Sequence, residues 1–229
     1  MELMHVHAKS NVDVKLPAGV LKKLPKCRFG VVTTIQHLHK INDVVKQLKA
    51  VLAGQVLGCN ASEAEKVQRK VDSFLFVGSG EFHPVQVALK TGRPVWLWNP
   101  VSKNFGLLDS KIVDGFRKRL QGRLAKFLHA KSIGVIVSTK LGQKNLMRAY
   151  DLLGSDKNCY LFACDNIDFN EFENFPFIDF WVNTACPRIP DGNVNMINIE
   201  DLIDAGLLKL SKKPVAYEVP MWKGRLGLH

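Results

Sequence analysis

Phe29-Gly30-Val31-Val32-Thr33-Thr34 decides the fold, because a similar stretch, Ile133-Gly134-Val135-Ile136-Val137-Ser138-Thr139, recurs about 100 residues later. Each copy is a short apolar run of the kind that forms a strand buried on both faces of a parallel sheet. A helix-forming segment follows each copy, Ile41 to Leu52 after the first and Lys144 to Leu153 after the second. The repetition indicates an internal duplication of one α/β unit.

Further strands and helices alternate in the same order in both halves of the chain. In the first half we expect strands at 55–58, 74–77 and 95–98, with helices from about 60 and at 83–90. In the second half we expect strands at 160–165, at 180–182 and after 194, with a helix at 200–205. Residues 160–165 are taken as the equivalent of 55–60. Such alternation predicts βαβ units. The predicted fold class is α/β, with two duplicated Rossmann-like parallel-sheet units whose strand-end loops meet at a shared site.

The predicted domains are an N-terminal arm, 1–28, a first α/β unit, 29–130, and a second α/β unit with a C-terminal tail, 131–229. Pro17 and Pro25 suggest that the arm is loosely organised. The first unit ends in a basic connecting helix, Lys111 to Lys131, in which apolar residues recur at helical spacing between Lys and Arg. A solvated helix face explains this pattern better than a nucleic-acid footprint, so direct RNA contact is not expected.

Net charge, apolar runs and cysteine content indicate which partners, compartment and cysteine chemistry to expect. The formal net charge of +11 favours an acidic partner, which could be RNA, an acidic protein or an anionic cofactor. No apolar run approaches the roughly 20 residues that span a bilayer, and the first residues do not resemble a signal peptide. We therefore expect a cytoplasmic protein with no membrane association. The five cysteines are scattered and odd in number, which favours reduced thiols, some of them metal ligands, over disulfides.

Three cysteines, Cys59, Cys164 and Cys186, lie at predicted strand ends, where parallel-sheet proteins assemble their sites. Their wide spacing differs from the closely spaced ligands of a zinc finger or a bacterial ferredoxin. A metal here would need cysteines from both units, and a cluster with three protein ligands leaves one iron open to substrate. Cys186 is followed by Pro187, which ends the strand, and Arg188, which could favour a thiolate. Core packing is the alternative role for Cys186.

Two further loops are candidate ligand sites. Gly78 and Gly80 lie between a strand and a helix, where an anionic group can approach the helix start, although a tight turn explains them equally well. His83 is either a polar site residue or a side chain of the helix start. Thr33, Thr34 and Gln36 follow another strand and could line the same cleft, with ordinary loop polarity as the alternative.

Four motifs bring a family into view: Val31-Val32-Thr33-Thr34-Ile35-Gln36-His37, Gln55-Val56-Leu57-Gly58-Cys59, Phe74 to Pro84, and Val182-Asn183-Thr184-Ala185-Cys186-Pro187-Arg188. In sequence, order and spacing they resemble the diphthamide synthase family, in its archaeal Dph2-type and eukaryotic Dph1/Dph2-type subunits. The resemblance extends from about Phe29 to Ile199.

The resemblance implies a radical enzyme that uses a four-iron, four-sulfur (4Fe–4S) cluster and S-adenosylmethionine as cosubstrate. It transfers a 3-amino-3-carboxypropyl group to a histidine of elongation factor 2, the first step of diphthamide biosynthesis. The family's cluster ligands correspond to Cys59 and Cys186, and cofactor contacts are expected from Thr33, Thr34, Gln36, Gly78, Gly80 and His83. The family forms homodimers or heterodimers with a related subunit.

One departure from the family pattern concerns the third cluster ligand. The family has three similar units with one cysteine each, and this chain is expected to be a short member without the N-terminal unit. The third ligand could come from a partner subunit, from Cys164 or from Cys27. If none supplies it, the alternative is a noncatalytic companion or divergent paralogue that binds the elongation factor or RNA without cleaving S-adenosylmethionine.

Overall fold

The computed structural model describes residues 6–58, 60–140, 145–192 and 195–209. The chain divides into two compact units, residues 1–121 and 122–229. The division falls inside the long basic helix, whereas the sequence analysis placed it just after that helix. Among the described residues, no helix combines the length and the apolar character needed to cross a membrane.

The first unit is a five-stranded sheet in the order β2-β1-β3-β4-β5. Its first four strands in chain order are parallel, and β5 pairs antiparallel with β4. Its elements are α1 (Ala18–Lys23), β1 (Phe29–Thr33), α2 (Ile35–Leu38), α3 (Ile41–Leu48), β2 (Val51–Gln55), α4 (Ser62–Val67), β3 (Ser73–Val77), α5 (Phe82–Thr91), β4 (Val95–Trp98) and β5 (Phe105–Leu107). The helix α6 (Ser110–His129) follows.

The second unit is a four-stranded parallel sheet in the order β7-β6-β8-β9. Its elements are β6 (Ser132–Ser138), α7 (Leu146–Leu153), β7 (Asn158–Cys164), a 3₁₀ helix (Phe169–Asn174), β8 (Phe180–Asn183), a 3₁₀ helix (Ile189–Gly192), β9 (Met196–Asn198) and α8 (Ile199–Asp204). The predicted α/β class with two parallel-dominated sheets is confirmed.

Burial explains why the central strands are continuous apolar runs. All five residues of β1 and of β3 are buried. Successive side chains of a strand point to opposite faces. Accordingly, Phe74 and Phe76 join the apolar core on one face of the sheet, and Leu75 and Val77 join the core on the other. Both faces are therefore covered, as expected for a parallel sheet.

Equivalent positions in the two units carry the same local constraints. A Cβ atom added to Gly30 would lie 2.7 Å from the Phe74 ring, and one added to Gly134 would lie 2.4 Å from the Trp181 ring. Gly30 pairs with Phe74 in the sheet, as Gly134 does with Trp181. In both places, a neighbouring aromatic ring occupies the space of a side chain. This correspondence supports an internal duplication.

Three local expectations are wrong. The second strand is 51–55 instead of 55–58, and residues 35–38, expected to be a loop, form α2. The N-terminal arm is not loose throughout, because Val14 and Leu16 are buried in the core and the Trp98 Nε1 donates a hydrogen bond to the Val14 carbonyl at 3.0 Å. The prolines of the arm did not indicate that Val14 and Leu16 are packed in the core.

The corrected strand also changes an equivalence between the two units. Thr33 pairs with Gln55, and Val137, its counterpart in β6, pairs with Ala163. Ala163 therefore corresponds to Gln55, and Cys164 is in line with Val56. The expected equivalence of Cys164 with Cys59 is not observed.

Candidate metal centre and ligand-binding loops

Cys186 lies on a short loop just after β8, and buried polar side chains hold this loop. Asn183, the last residue of β8, is fully buried, and its Nδ2 donates to the Cys186 carbonyl at 2.9 Å. The Asn183 Oδ1 accepts from the Ala185 backbone N–H at 3.0 Å. One amide side chain thus closes the turn that carries Cys186.

A second asparagine, Asn198 at the end of β9, extends this network. Its Oδ1 accepts from Asn183 Nδ2 at 2.8 Å, and its own Nδ2 donates to the Pro187 carbonyl at 3.1 Å. The backbone on both sides of Cys186 is therefore held by asparagines, Ala185 by Asn183 of β8 and Pro187 by Asn198 of the neighbouring strand β9. Sequence reasoning did not find Asn198, and its only signal was a polar residue at the end of a buried strand.

Thr184 is anchored from the other neighbouring strand. It is fully buried, and its Oγ1 donates to the Ile136 carbonyl at 2.8 Å. Its own carbonyl accepts from Asn145 Nδ2 at 2.9 Å. Because buried polar groups are costly when unpaired, this satisfied network favours one backbone conformation for the loop.

The Cys186 thiol is free and partly exposed. A thiol that is accessible and held on a rigid strand-end loop fits a soft metal ligand such as an iron–sulfur cluster requires. Among residues 6–58, 60–140, 145–192 and 195–209, no three His, Cys, Asp or Glu side chains converge on a metal site. Cys59, the other predicted ligand, lies outside the described residues.

The remaining cysteines have different surroundings. Burial raises the pKa of Cys27, Cys159 and Cys164, in each case as the main cause. The Cys159 Sγ also donates to the Leu152 carbonyl at 3.5 Å, which indicates a packing role. Cys164 is the last residue of β7, and Asp165 further raises its pKa, so both effects favour the neutral thiol.

Leu57, Gly58 and Asn60, which lie on either side of Cys59 in sequence, are held by backbone hydrogen bonds and ring packing. Leu57 and Asn60 exchange two backbone hydrogen bonds, of 3.0 and 3.2 Å. A Cβ atom on Gly58 would lie 1.8 Å from Phe82 Cε1, so the Phe82 ring packs directly on the Gly58 backbone. The start of α5 therefore lies beside the residue that precedes Cys59.

The predicted glycine loop continues this surface of the first unit. Gly80 has φ of 77°, a conformation that favours glycine. A Cβ atom on Gly78 would lie 2.8 Å from the Phe76 ring. His83 is the second residue of α5, and its ring stacks on Phe76 at 6.0 Å between centroids. Gly78 thus allows a close approach of the backbone to the Phe76 ring on which His83 stacks, whereas Gly80 is required by its backbone conformation.

Thr33, Thr34 and Gln36, the predicted ligand-binding residues after β1, differ in burial and in hydrogen bonding. Thr33 is fully buried and its Oγ1 donates to the Val77 carbonyl at 2.6 Å, so this hydroxyl is used within the sheet. Gln36 is exposed. Thr34 lies at the N-cap of α2, yet its Oγ1 caps no backbone N–H and is buried without a hydrogen-bond partner in the described chain.

His37, three residues further along the same turn, also has an unpaired atom. It is only 4% exposed, and its Nδ1 is buried with no hydrogen-bond partner in the described chain. Burial lowers the pKa of His37, and His39 and Lys40 lower it further, so its imidazole is neutral near pH 7. Two unpaired polar atoms on one turn at the carboxyl end of β1 fit a polar ligand. Such a ligand could be a cofactor with hydroxyl, amino or carboxylate groups.

The fold and these loops define a class: a duplicated parallel α/β protein with a free cysteine on a strand-end loop of the second unit and unpaired polar atoms on a strand-end turn of the first. A family model described as "Putative diphthamide synthesis protein" matches residues 1–193. The chain therefore belongs to the diphthamide synthesis family, as the sequence motifs indicated.

Relatives with assigned names agree with this result. The chain is 32% identical over 190 residues to the 2-(3-amino-3-carboxypropyl)histidine synthase of Pyrococcus horikoshii, covering 75% of this chain and 53% of the relative. It is 31% identical to the same enzyme of Methanocaldococcus jannaschii, covering 71% of this chain and 45% of the relative. The chain spans about half the length of these relatives.

A solved structure extends the comparison to three dimensions. Dph2 from Pyrococcus horikoshii with a 4Fe–4S cluster matches with a TM-score of 0.67 at 30% identity, covering 84% of this chain and 61% of that one. The fold similarity therefore includes most of this chain.

Proposed function

We propose that this chain is a component of 2-(3-amino-3-carboxypropyl)histidine synthase, the enzyme of the first step of diphthamide biosynthesis. The reaction transfers the 3-amino-3-carboxypropyl group of S-adenosylmethionine to a histidine of elongation factor 2. The observation that carries the proposal is the family match over residues 1–193, which includes the rigid Cys186 loop. Relatives named for this activity support it.

The cofactors of the proposal are a 4Fe–4S cluster and S-adenosylmethionine. We propose Cys59 and Cys186 as cluster ligands, with Cys164 as a further candidate, although its burial favours the neutral thiol. When bound, the cluster would supply the electron that breaks a carbon–sulfur bond of S-adenosylmethionine. The 4Fe–4S cluster of Pyrococcus horikoshii Dph2 supports the proposal of a cluster in this chain.

The chain's own residues have separate roles in this proposal. Asn183 and Asn198 hold the backbone on both sides of Cys186 and so fix the position of its Cα on the loop. Thr34 and His37 would hydrogen-bond polar groups of S-adenosylmethionine, because their buried atoms have no other partner in the described chain. Thr33 positions the β3 carboxyl end through the Val77 carbonyl.

Further contacts and partners complete the proposal. Gly80, where an added Cβ atom would meet nothing within 4 Å, would admit the cofactor close to the backbone, and Gly78, His83 and Gln36 lie at the same end of the first sheet. Elongation factor 2 is the proposed protein substrate, in the cytoplasm, and a related subunit or a second copy is the proposed dimer partner. The eukaryotic relatives named "subunit 1" support a multi-subunit enzyme. The domain limits of 28 and 130 remain proposals.

The test is group transfer measured with the anaerobically reconstituted chain. Elongation factor 2, a reductant and S-adenosylmethionine labelled in its aminocarboxypropyl group are added, with and without a full-length relative as partner. Labelled elongation factor is expected with wild type and with Cys159→Ala, and none with Cys186→Ala. No cleavage of S-adenosylmethionine in any combination would reject the enzymatic role and favour the noncatalytic companion.

A further inference from the structure

Charge is distributed very unevenly along this basic chain. Residues 158–187, here called the acidic aromatic segment, contain no Lys or Arg, although the whole chain has a net charge of +11. The segment holds five carboxylates: Asp165, Asp168, Glu171, Glu173 and Asp179. It also holds eight of the chain's twenty Phe, Trp and Tyr residues: Tyr160, Phe162, Phe169, Phe172, Phe175, Phe177, Phe180 and Trp181.

This segment covers its sheet differently from the equivalent part of the first unit. There, α4 connects β2 to β3 and packs closely, with Ala61 and Ala64 in the core. In the second unit the corresponding connection is the 3₁₀ helix Phe169–Asn174, and the Phe172 ring stacks on Trp181 at 4.1 Å. Two cavities, of about 380 and 230 Å³, are both lined by Phe172 and Trp181.

The larger cavity combines aromatic walls with acidic groups. Its aromatic lining is Phe162, Phe172, Phe175 and Trp181, and its charged lining is Asp168 and Glu171. The volume of about 380 Å³ falls in the range of ligand pockets. In the part of the chain that the structure describes, neither carboxylate forms a salt bridge.

Local hydrogen bonds use one oxygen of each carboxylate. Asp168 Oδ1 accepts from the Asn170 backbone and side chain, both at 3.0 Å, and Glu171 Oε2 accepts from Asn174 at 2.9 Å. Both residues are exposed, and these local bonds favour one orientation of each carboxylate. Asn166, which also lines the cavity, accepts a hydrogen bond through its Oδ1 from the Lys140 ammonium of the same chain at 2.6 Å.

The cavity also borders the free edge of a strand. Four successive β7 residues, Leu161 to Cys164, line it, although successive side chains point to opposite faces. β7 is the outermost strand and pairs only with β6 in the described sheet. Next to the cavity, Tyr160 is 43% exposed and Phe177 51% exposed, with their rings 5.2 Å apart. An uncharged edge strand with exposed apolar side chains can accept an added strand.

We propose that this surface binds an extended, arginine-bearing segment of a partner protein. The segment adds to the free edge of β7 and places a guanidinium group in the cavity, between the aromatic rings and the carboxylates of Asp168 and Glu171. Guanidinium suits this lining better than ammonium, because it is planar, stacks on aromatic faces and is more weakly hydrated. The exposed rings beyond the cavity favour a polypeptide over a small free cation. The inference does not depend on the cluster or on the proposed reaction.

The test uses the metal-free full chain and a blocked synthetic peptide of alternating valine and arginine. Matched peptides carry glutamine or lysine in place of arginine, and arginine amide serves as the small cation. Binding is measured by calorimetry at low salt. The indole N–H signal of Trp181, assigned with Trp181→Phe, reports whether the cavity is occupied.

Two double variants with the same charge change separate the site from net charge. Asp168→Asn/Glu171→Gln removes the carboxylates of the cavity while keeping hydrogen-bond acceptors in place. Asp165→Asn/Glu173→Gln removes two carboxylates of the same segment that do not line this cavity. The first is expected to weaken arginine-peptide binding at least tenfold, and the second less than twofold.

The peptide series is expected to bind in the order arginine, lysine, glutamine, with a shift of the Trp181 signal only on binding. The proposal would be overturned by absence of arginine-peptide binding, by equal losses in both double variants, or by binding that leaves the Trp181 signal unchanged. Arginine amide binding as tightly as the peptide would also overturn it, because the site would then recognise a free cation. Circular dichroism confirms that the variants are folded.

Discussion

Replacing Asn198 with alanine tests whether the asparagine network positions Cys186. The change removes the acceptor of Asn183 Nδ2 and the donor to the Pro187 carbonyl, bonds of 2.8 and 3.1 Å. A buried polar group that loses its hydrogen-bond partner lowers the free energy of unfolding by about 1–3 kcal/mol. Two groups lose a partner, which gives a range of about 2–6 kcal/mol. Asn183 Nδ2 keeps its bond to Cys186 and Pro187 is partly exposed, so the expected loss lies near the lower end of that range, about 2–3 kcal/mol.

The assay is urea unfolding of the metal-free chain, followed by circular dichroism and by tryptophan fluorescence, to which Trp181 contributes from the strand that pairs with β9. Iron loss from the reconstituted chain to a chelator is measured in parallel and is expected to be faster in Asn198→Ala. The matched control is Asn195→Ala, because Asn195 is exposed and, within the residues that the structure describes, its side chain accepts a hydrogen bond from the Lys126 ammonium alone. The control should change stability by less than about 0.5 kcal/mol. Equal stability and equal iron loss in both variants would refute the positioning role.

Three further predictions concern the first unit and the acid range. Gly58→Ala should destabilise the chain because its Cβ would meet the Phe82 ring, and Gly58→Ala/Phe82→Ala should recover part of the loss in urea unfolding. Burial lowers the pKa of His37, so wild type should lose stability as pH falls below about 6.5, where the unfolded imidazole takes up a proton, and His37→Asn should lose less. Hydrogen bonds from the Ser132 and Lys131 backbone lower the pKa of Asp179, whose stabilisation is present above about pH 4 and lost below it. Asp179→Asn should therefore show a smaller fall of the urea midpoint between pH 4 and pH 2; an unchanged fall in either variant contradicts the corresponding assignment.

The sequence predicted those strands whose pattern is decided by burial. β1, β3 and β8 are continuous apolar runs, and their observed limits lie within one residue of the predicted ones. β2 was misplaced because Val51 and Leu52 were assigned to the preceding helix, which ends at Leu48, so that the strand was expected after them. The short antiparallel β5 was missed, since its three residues carry no clear pattern.

Some features of the candidate site were also predictable from the sequence, and others were not. The position of Cys186 beyond a buried strand was apparent, because the strand, the proline and the cysteine are adjacent in sequence. The support from Asn198 depends on its hydrogen bond with Asn183, 15 residues away, which no local sequence pattern predicts. The unpaired atoms of Thr34 and His37 become visible only through their burial, which the tertiary structure determines.

The central claim, that Cys186 holds a cluster in this chain, is tested most directly by iron content after anaerobic reconstitution. Wild type, Cys186→Ala and Cys159→Ala are prepared in parallel, alone and with a full-length relative, and iron is quantified after gel filtration. The account predicts iron and visible absorption in wild type and Cys159→Ala, and loss of both in Cys186→Ala. Iron retained by Cys186→Ala at the wild-type level would contradict it.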